Sequence, residues 1–182
     1  MQNERLGPDA RNVDEIVLPH LDAAYNLARW LVRNPPDAED VVQEACLRAV
    51  RFARGFREGN ARAWMLRIVR NVAYSFLEKK RPSELTEEFN ETLHVTEQGD
   101  AETDLVRSVE SKLVQEALEA LPARFREAVI LRELEGLSYK EIADVMEIPI
   151  GTVMSSLTRG REQLRKLVLA SRRKEAQRAV HD

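Results

Sequence analysis

The side chains best suited to binding another molecule lie on one side of a predicted helix between residues 61 and 80. With Trp64 set at 0° and about 100° added per residue, Arg67, Asn71 and Tyr74 fall between about 280° and 340°, and Trp64 borders this side. A compact apolar stripe lies opposite and consists of Met65, Val69, Val72 and Phe76. Arginine and asparagine donate hydrogen bonds, and aromatic rings stack on nucleobases. The helix therefore has the pattern of a core face and a nucleic-acid face, with an ordinary solvated face as the alternative.

A second polar face is predicted on the last helix, which begins near Ile150. Its members share i, i+3, i+4 and i+7 spacing and are Thr152, Ser155, Ser156 and Arg159. Small hydroxyl side chains with one arginine suit a helix that enters the DNA major groove, because hydroxyls donate or accept and arginine reads guanine. A short helix precedes it, with Ser138 and Glu141 at capping-box spacing. Short helix, tight turn and second helix form the outline of a helix-turn-helix.

Catalytic and metal-binding patterns do not emerge from the remaining polar residues. Asp37 with Asp40 could suggest acid-base chemistry, but no histidine, lysine or nucleophile accompanies them as a set. The three histidines show no metal-ligand spacing with one another or with Cys46. The sequence also lacks a P-loop and a dinucleotide-binding fingerprint. We therefore expect no enzyme activity, no cofactor and no metal.

Composition indicates a soluble helical protein. Gly and Pro number 7 each in 182 residues, which favours helices over many short strands. The single cysteine suits a reducing compartment, and no apolar run approaches the roughly 20 residues of a membrane span. The N-terminus lacks an apolar signal region. We expect a cytoplasmic, all-α protein without membrane insertion.

Charge divides the chain into two domains. Residues 48–81 hold ten Lys/Arg against two acids, and residues 159–178 hold eight against two. Between them, residues 83–105 hold eight Asp/Glu and no Lys/Arg, without sustained apolar periodicity. Two basic regions suggest two nucleic-acid contacts, and the acidic stretch predicts a flexible linker. The predicted divisions are a first domain 12–82, a linker 83–104, a helix-turn-helix domain 105–170 and a basic tail 171–182.

The predicted starts and ends of helices divide the first domain into its helical segments. A helix is predicted from about Val13 to Leu31, since apolar residues recur at helical spacing and Asn34-Pro35-Pro36 follows. Asp37 is the predicted N-cap of a second helix. The predicted inner face of that helix consists of Val41, Val42, Ala45, Ala49 and Phe52.

At several points the sequence resembles the extracytoplasmic-function sigma factors of bacterial RNA polymerase. Residues 121–129 and 136–143, followed by Ile150-Gly151-Thr152-Val153 and Ser155, resemble the fourth region of these proteins, which binds the promoter. Residues 37–44 resemble the polymerase-binding part of their second region, and residues 64–71 resemble the adjoining part that melts and reads the minus-ten element. The motifs occur in the family's order and span about residues 12–170.

The resemblance implies a role for each matched residue. Polymerase docking is implied for Asp37, Asp40, Gln43, Glu44 and Arg48. Contact with the minus-ten strand is implied for Trp64, Arg67, Asn71, Tyr74 and the adjacent Ser75, where the family often has Asp. Contact with the minus-thirty-five duplex is implied for Tyr139, Lys140, Thr152, Ser155, Ser156 and Arg159, and the family often has Arg where Ser156 stands.

The expected partners are therefore core RNA polymerase and promoter DNA, with an anti-sigma factor left open as a third. A stand-alone transcriptional regulator is the alternative. It would explain the helix-turn-helix but not the motifs of the first domain, and it should bind duplex operator DNA tightly without polymerase.

Overall fold

The protein is all-α, as the sequence predicts. The computed structural model describes residues 15–53, 56, 59–80 and 112–179, and these ranges contain helices but no strands. The helices are α1 (Leu21–Val32), α2 (Pro35–Phe52), α3 (Ala61–Lys80), α4 (112–119), α5 (Ala123–Val129), α6 (Tyr139–Met146) and α7 (Ile150–Ala179). The predicted linker 83–104 and Val13 lie outside the described residues.

In the first domain α1, α2 and α3 pack on one another. Leu27, Val41, Met65, Leu66 and Val69 are at most 1% exposed and form its core. Alanines on α1 and α2, Ala24, Ala28, Ala38, Ala45 and Ala49, are fully buried and let the helix backbones approach closely. Together these contacts fix α3 so that its apolar stripe faces inward.

Three details of the first domain differ from the sequence-based prediction. Pro19 lies in a 3₁₀ turn, Leu18–His20, and α1 begins only at Leu21. Asn34, rather than Asp37, caps α2: its side-chain oxygen accepts from the Asp37 amide at 3.1 Å. Proline is well suited to the first helical turn, which needs no amide donor, so Pro35 and Pro36 start α2 instead of preceding it.

Phe52 was placed on the inner face of α2 and is instead 62% exposed. Its angular position on the helix does match the buried Val41 and Ala45. However, it is the last residue of α2, where the chain leaves the helix. The angle of a residue around the helix axis does not show whether the helix ends at that residue, and so it does not predict burial there.

In the second domain, α5 and α7 pack closely and α6 lies against α7. Glycine permits this packing at Gly160, where an added Cβ would lie 2.9 Å from Cγ2 of Val129. A π-helical segment, Ile130–Leu134, continues α5, and Gly136 with φ 68° ends it. Helix α7 runs on to Ala179, so most of the predicted basic tail is helical.

The predicted capping box is confirmed. The Glu141 amide donates to Oγ of Ser138 at 3.3 Å, and the Ser138 amide donates to the Glu141 carboxylate at 2.7 Å. These bonds fix the start of α6, and hence the angle at which the short helix meets the turn before α7.

Candidate nucleic-acid and partner-binding surfaces

The polar side of α3 carries the predicted strand-binding residues. Arg67 and Asn71 are exposed, whereas Tyr74 and Ser75 are half-buried. Trp64 is also half-buried, and its ring lies 5.2 Å from that of Phe56 at 47°. The structure thus brings the five residues to one helix, with an aromatic pair at its N-terminal end.

Carboxylates of the second domain contact polar side chains on and just before α3. We call Glu127, Glu135, Glu141 and Glu147 the acidic row. Glu147 accepts from Nη2 of Arg67 at 2.7 Å, and Glu127 accepts from the hydroxyl of Tyr74 at 2.9 Å. Arg70 pairs with Glu127, and Arg62 pairs with Glu135. Asn60, just before α3, donates to Glu141 at 2.5 Å.

Burial distinguishes the members of the acidic row. The side chains of Glu127 and Glu135 are 1% and 2% exposed, whereas that of Glu147 is 48% exposed. A buried charge requires a partner, and the guanidinium groups of α3 supply it. Sequence reasoning missed this contact, because nothing in either segment alone shows that α3 and α6 meet.

Tyr74 lies in the most enclosed part of the contact. Arg70 stacks over its ring, with Cζ 4.7 Å from the ring centroid. Burial of the phenol raises the pKa of Tyr74 to about 12, and the nearby Glu127 carboxylate contributes to the increase. The Tyr74 hydroxyl therefore keeps its proton and acts as a hydrogen-bond donor across the physiological pH range.

A cleft of about 550 Å³ opens between α3 and α6. The first domain contributes Phe56, Asn60, Trp64 and Arg67 to its walls, and the second contributes Lys140, Glu141 and Asp144. Trp64, which lines this cleft beside Phe56, is half-buried and so partly reachable from solvent.

The outer face of α2 is a second surface. Asp40 and Gln43 are exposed, as the docking assignment requires, while Glu44 forms an i,i+4 ion pair with Arg48 at 2.7 Å. That hydrogen bond lowers the pKa of Glu44. Asp37 contacts the Lys80 ammonium at 2.6 Å, which ties α2 to the end of α3.

Exposed apolar side chains accompany these polar groups. Leu47 and Val50 are 52% and 49% exposed on α2, and Phe52 follows at its end. Sequence reasoning did not select Leu47 or Val50. Their signal was present, because both fall on the same side of the helix as Asp40 and Gln43. Charged groups around apolar ones make this face suitable for a protein partner.

The recognition face of α7 is exposed at three of its four predicted positions. Thr152, Ser155 and Arg159 are solvent-exposed, and Arg159 has no ionic or hydrogen-bonding partner among the described residues. Ser156 is 4% exposed, so its placement on the exposed face was wrong. Its Cβ lies about 40° from Thr152 toward the side of Val153, which packs inward.

Two of the predicted minus-thirty-five residues lie at the start of α6. Lys140 is exposed, whereas Tyr139 is half-buried with the Arg132 guanidinium 5.2 Å from its ring centroid. Nearby, Arg161 of α7 pairs with Glu133 at 2.6 Å within the second domain. Lys140 is therefore more accessible to a ligand than Tyr139.

The described ranges were also compared with the requirements of a metal site and of a membrane span. Among these residues no three His, Cys, Asp or Glu side chains are grouped so that they could hold a metal ion. No described helix is both long and apolar enough to cross a membrane.

Comparison with known proteins identifies the family of this chain. Residues 16–82 match the family described as Sigma-70 region 2, and residues 111–164 match Sigma-70, region 4. The chain is 36% identical over 167 residues to the RNA polymerase sigma-H factor of Pseudomonas aeruginosa, covering 87% of this chain and 86% of that protein.

Two further relatives extend the comparison. The ECF RNA polymerase sigma factor SigE of Mycolicibacterium smegmatis is 36% identical over 155 residues, covering 84% of this chain; the match spans 60% of that longer protein. The sigma factor RpoE of Bartonella quintana, crystallised with the anti-sigma factor NepR, has a TM-score of 0.70 and 29% identity, covering 85% of this chain and 95% of that one. The chain therefore belongs to the extracytoplasmic-function sigma factors, the subunits that direct RNA polymerase to specific promoters.

Proposed function

We propose that α3 captures the minus-ten strand, that α6 and α7 bind the minus-thirty-five duplex, and that the outer face of α2 docks on core polymerase. In this proposal the protein works by binding alone, in the cytoplasm, and the polymerase performs nucleotidyl transfer. An anti-sigma factor is proposed as a further partner, since the Bartonella relative binds one.

Support for the α3 assignment comes from the kinds of group on its polar side. Stacking a base on an aromatic ring contributes roughly 1–3 kcal/mol, which offsets part of the few kcal/mol needed to extrude a base. Trp64 and Tyr74 supply rings, and Asn71 supplies an exposed amide that can bind a base edge. These groups suit single-stranded DNA better than a closed duplex.

Support for the α7 assignment comes from position along the helix. Recognition helices usually read bases with their N-terminal residues. Thr152 and Ser155 lie in the first two turns of α7 and are exposed, so we assign them to base edges. Arg159 lies one turn later and is assigned to phosphate, together with Lys140.

The α2 assignment is supported by exposed Leu47 and Val50 beside Asp40 and Gln43. Apolar side chains supply burial in a protein interface, and charges around them supply orientation. Asp37 and Glu44 already have basic partners within this chain, so we assign them to shaping the docking face.

The observation that carries the proposal is that one chain presents two separate polar faces, on α3 and on α7, and a third face on α2 that combines exposed apolar and charged side chains. A stand-alone regulator needs the α7 face alone. Run-off transcription separates the two functions. Core polymerase with a library of genomic promoter fragments should produce specific transcripts only when this protein is added. Transcripts that do not depend on the protein, together with tight operator binding in the absence of polymerase, would favour the regulator.

A further inference from the structure

We infer that Met154 reads the methyl group of a thymine in the minus-thirty-five element, so that part of the base preference of α7 comes from an apolar contact. The inference rests on the proposed role of α7, and it adds a specificity residue that the pattern of hydroxyl groups and arginine did not select. The ligand is a chemical group that thymine alone among the DNA bases presents in the major groove.

Exposure distinguishes Met154 from Met65 and Met146. Met154 is 52% exposed, whereas Met65 is fully buried and Met146 is 4% exposed. Met154 lies in the second turn of α7, which begins at Ile150, among the N-terminal residues with which recognition helices usually read bases. An apolar side chain at this position is removed from water when DNA binds, and this burial stabilises the complex.

The direction of Met154 around α7 follows from the residues that the second domain buries. The buried residues between 152 and 160 are Val153, Ser156, Leu157 and Gly160. With Thr152 set at 0° and about 100° added per residue, these four are centred near 90°, so the side near 270° points away from the domain. Met154 falls at about 200° and Arg159 at about 340°, equally far from that outward direction. A contact surface that includes Arg159 therefore includes Met154 as well.

Hydrogen bonds within α7 make this side less polar than its composition suggests. The Ser155 hydroxyl donates to the Thr152 carbonyl oxygen at 3.0 Å, and the Thr158 hydroxyl donates to the Met154 carbonyl oxygen at 3.0 Å. Both hydroxyl hydrogens are engaged with the helix itself, so each hydroxyl can only accept a hydrogen bond from a base. Among the exposed residues from Gly151 to Thr158, Met154 has the largest side chain, and it is apolar.

The chemistry of the major groove selects one target for such a side chain. Base edges there present hydrogen-bond donors and acceptors, and the thymine C5 methyl is the apolar exception. Methionine is unbranched and flexible, so its thioether chain can adapt to the position of that methyl. Contact between the two removes apolar surface from water on both sides. Opposite a purely polar base edge, the same side chain would cover donors or acceptors without satisfying them.

Leu169 provides a matched control on the same helix. It is 46% exposed, close to the 52% of Met154, and it falls near the same outward direction. However, it lies about 22 Å further along the helix axis, away from the N-terminal turns. Met154→Ala and Leu169→Ala each remove an exposed apolar side chain, and alanine favours the helix at both positions. Met154→Leu keeps an apolar side chain of similar size.

The experiment uses holoenzyme assembled from core polymerase and the full-length protein. A promoter found by run-off transcription is randomised in its minus-thirty-five segment, and binding enrichment with sequencing gives the preferred sequence. Each thymine of that sequence is then replaced in turn by deoxyuridine, which lacks only the methyl group. One replacement should weaken binding by the wild type and by Leu169→Ala about two- to fivefold. The same replacement should leave binding by Met154→Ala unchanged, while Met154→Leu should remain sensitive to it.

Equal sensitivity of the wild type and Met154→Ala to every deoxyuridine replacement would overturn the inference, because Met154 would then not meet a thymine methyl. A preferred sequence without thymine would overturn it too. Both results leave the proposed function intact, since a sequence has still been selected. A wild-type holoenzyme that enriches no sequence in this segment would instead contradict the assignment of α7 to the minus-thirty-five duplex, and the inference with it.

Discussion

The hydroxyl of Tyr74 donates a hydrogen bond of 2.9 Å to Glu127, across the contact between the two domains. The phenol belongs to the side of α3 assigned to the minus-ten strand, and the carboxylate belongs to α5 of the helix-turn-helix domain. The same Glu127 also pairs with Arg70, so one buried acid engages two side chains of α3.

The pH dependence of Tyr74 follows from this hydrogen bond. Its pKa is raised from its ordinary value near 10 to about 12, chiefly by burial and then by Glu127. An unfolded tyrosine loses its proton first, so between about pH 10 and 12 the free energy of unfolding should fall as pH rises. Spectrophotometric titration should show a late phenol step that Tyr74→Phe removes and Glu127→Gln moves to lower pH. A titration unchanged by Tyr74→Phe near pH 12 would contradict the assignment.

Local features were predictable from the sequence, and contacts between distant segments were not. The Ser138–Glu141 capping box depends on residues three apart, so spacing alone predicted it. The boundaries of α3 were likewise predicted, because its apolar stripe is long and regular. The acidic row was missed, because Glu127 lies 53 residues from Tyr74 in sequence and only the packing of the domains brings them together.

The exposure of a side chain was predicted wrongly at two positions, each at the boundary of a helix face or of a helix. Ser156 falls at the edge between the exposed and buried sides of α7 and is only 4% exposed. Phe52 falls at the end of α2, beyond which no inner face continues. Helical periodicity gives a direction for each side chain but not the extent of the surface that it meets.

Reversing charge on α2 should weaken binding to core polymerase. Asp40 is exposed and has no structural ion pair among the described residues, so Asp40→Arg should leave helical content unchanged. A like-charge contact in an interface costs several kcal/mol, and we expect at least about a tenfold loss of affinity. Asp22→Arg, an equal charge change on exposed α1, is the control. Pull-down with core polymerase measures both, and equal recovery of the two variants would remove Asp40 from the docking face.

Loss of Arg159 should weaken minus-thirty-five binding without changing base preference. A phosphate contact contributes similarly to all sequences, and its removal lowers the salt slope by about one unit. Thr152→Ala should instead relax preference at one base pair, at a cost of roughly 1–3 kcal/mol. Binding of the full-length variants to duplexes with single base changes, at several salt concentrations, separates the two effects. If Arg159→Ala lost discrimination at one base pair with the salt slope unchanged, Arg159 would be a base reader.

The packing of α7 on α5 predicts that replacing two glycines of α7 with alanine changes the stability of the protein in opposite directions. A Cβ at Gly160 would lie 2.9 Å from Val129 and 3.3 Å from the Phe125 carbonyl oxygen, whereas one at Gly151 meets nothing within 4 Å. Overpacking costs about 1–3 kcal/mol and should exceed the gain in helix propensity of up to about 1 kcal/mol. Gly160→Ala should therefore lower the urea midpoint and Gly151→Ala should raise it. A higher midpoint for Gly160→Ala would show that α5 and α7 can move apart.

The central claim is that α3 opens promoter DNA, and Asn71 tests it most directly. Asn71 is exposed and lies outside the contacts with the acidic row, so its removal should not affect folding. Asn26→Ala, which removes an exposed amide from α1, is the matched control. The measurement is permanganate reactivity of minus-ten thymines on a duplex promoter, with core polymerase and each variant. We predict that Asn71→Ala lowers reactivity while Asn26→Ala does not, and that a pre-melted promoter restores most of the loss in transcription. Wild-type reactivity with Asn71→Ala would contradict the account.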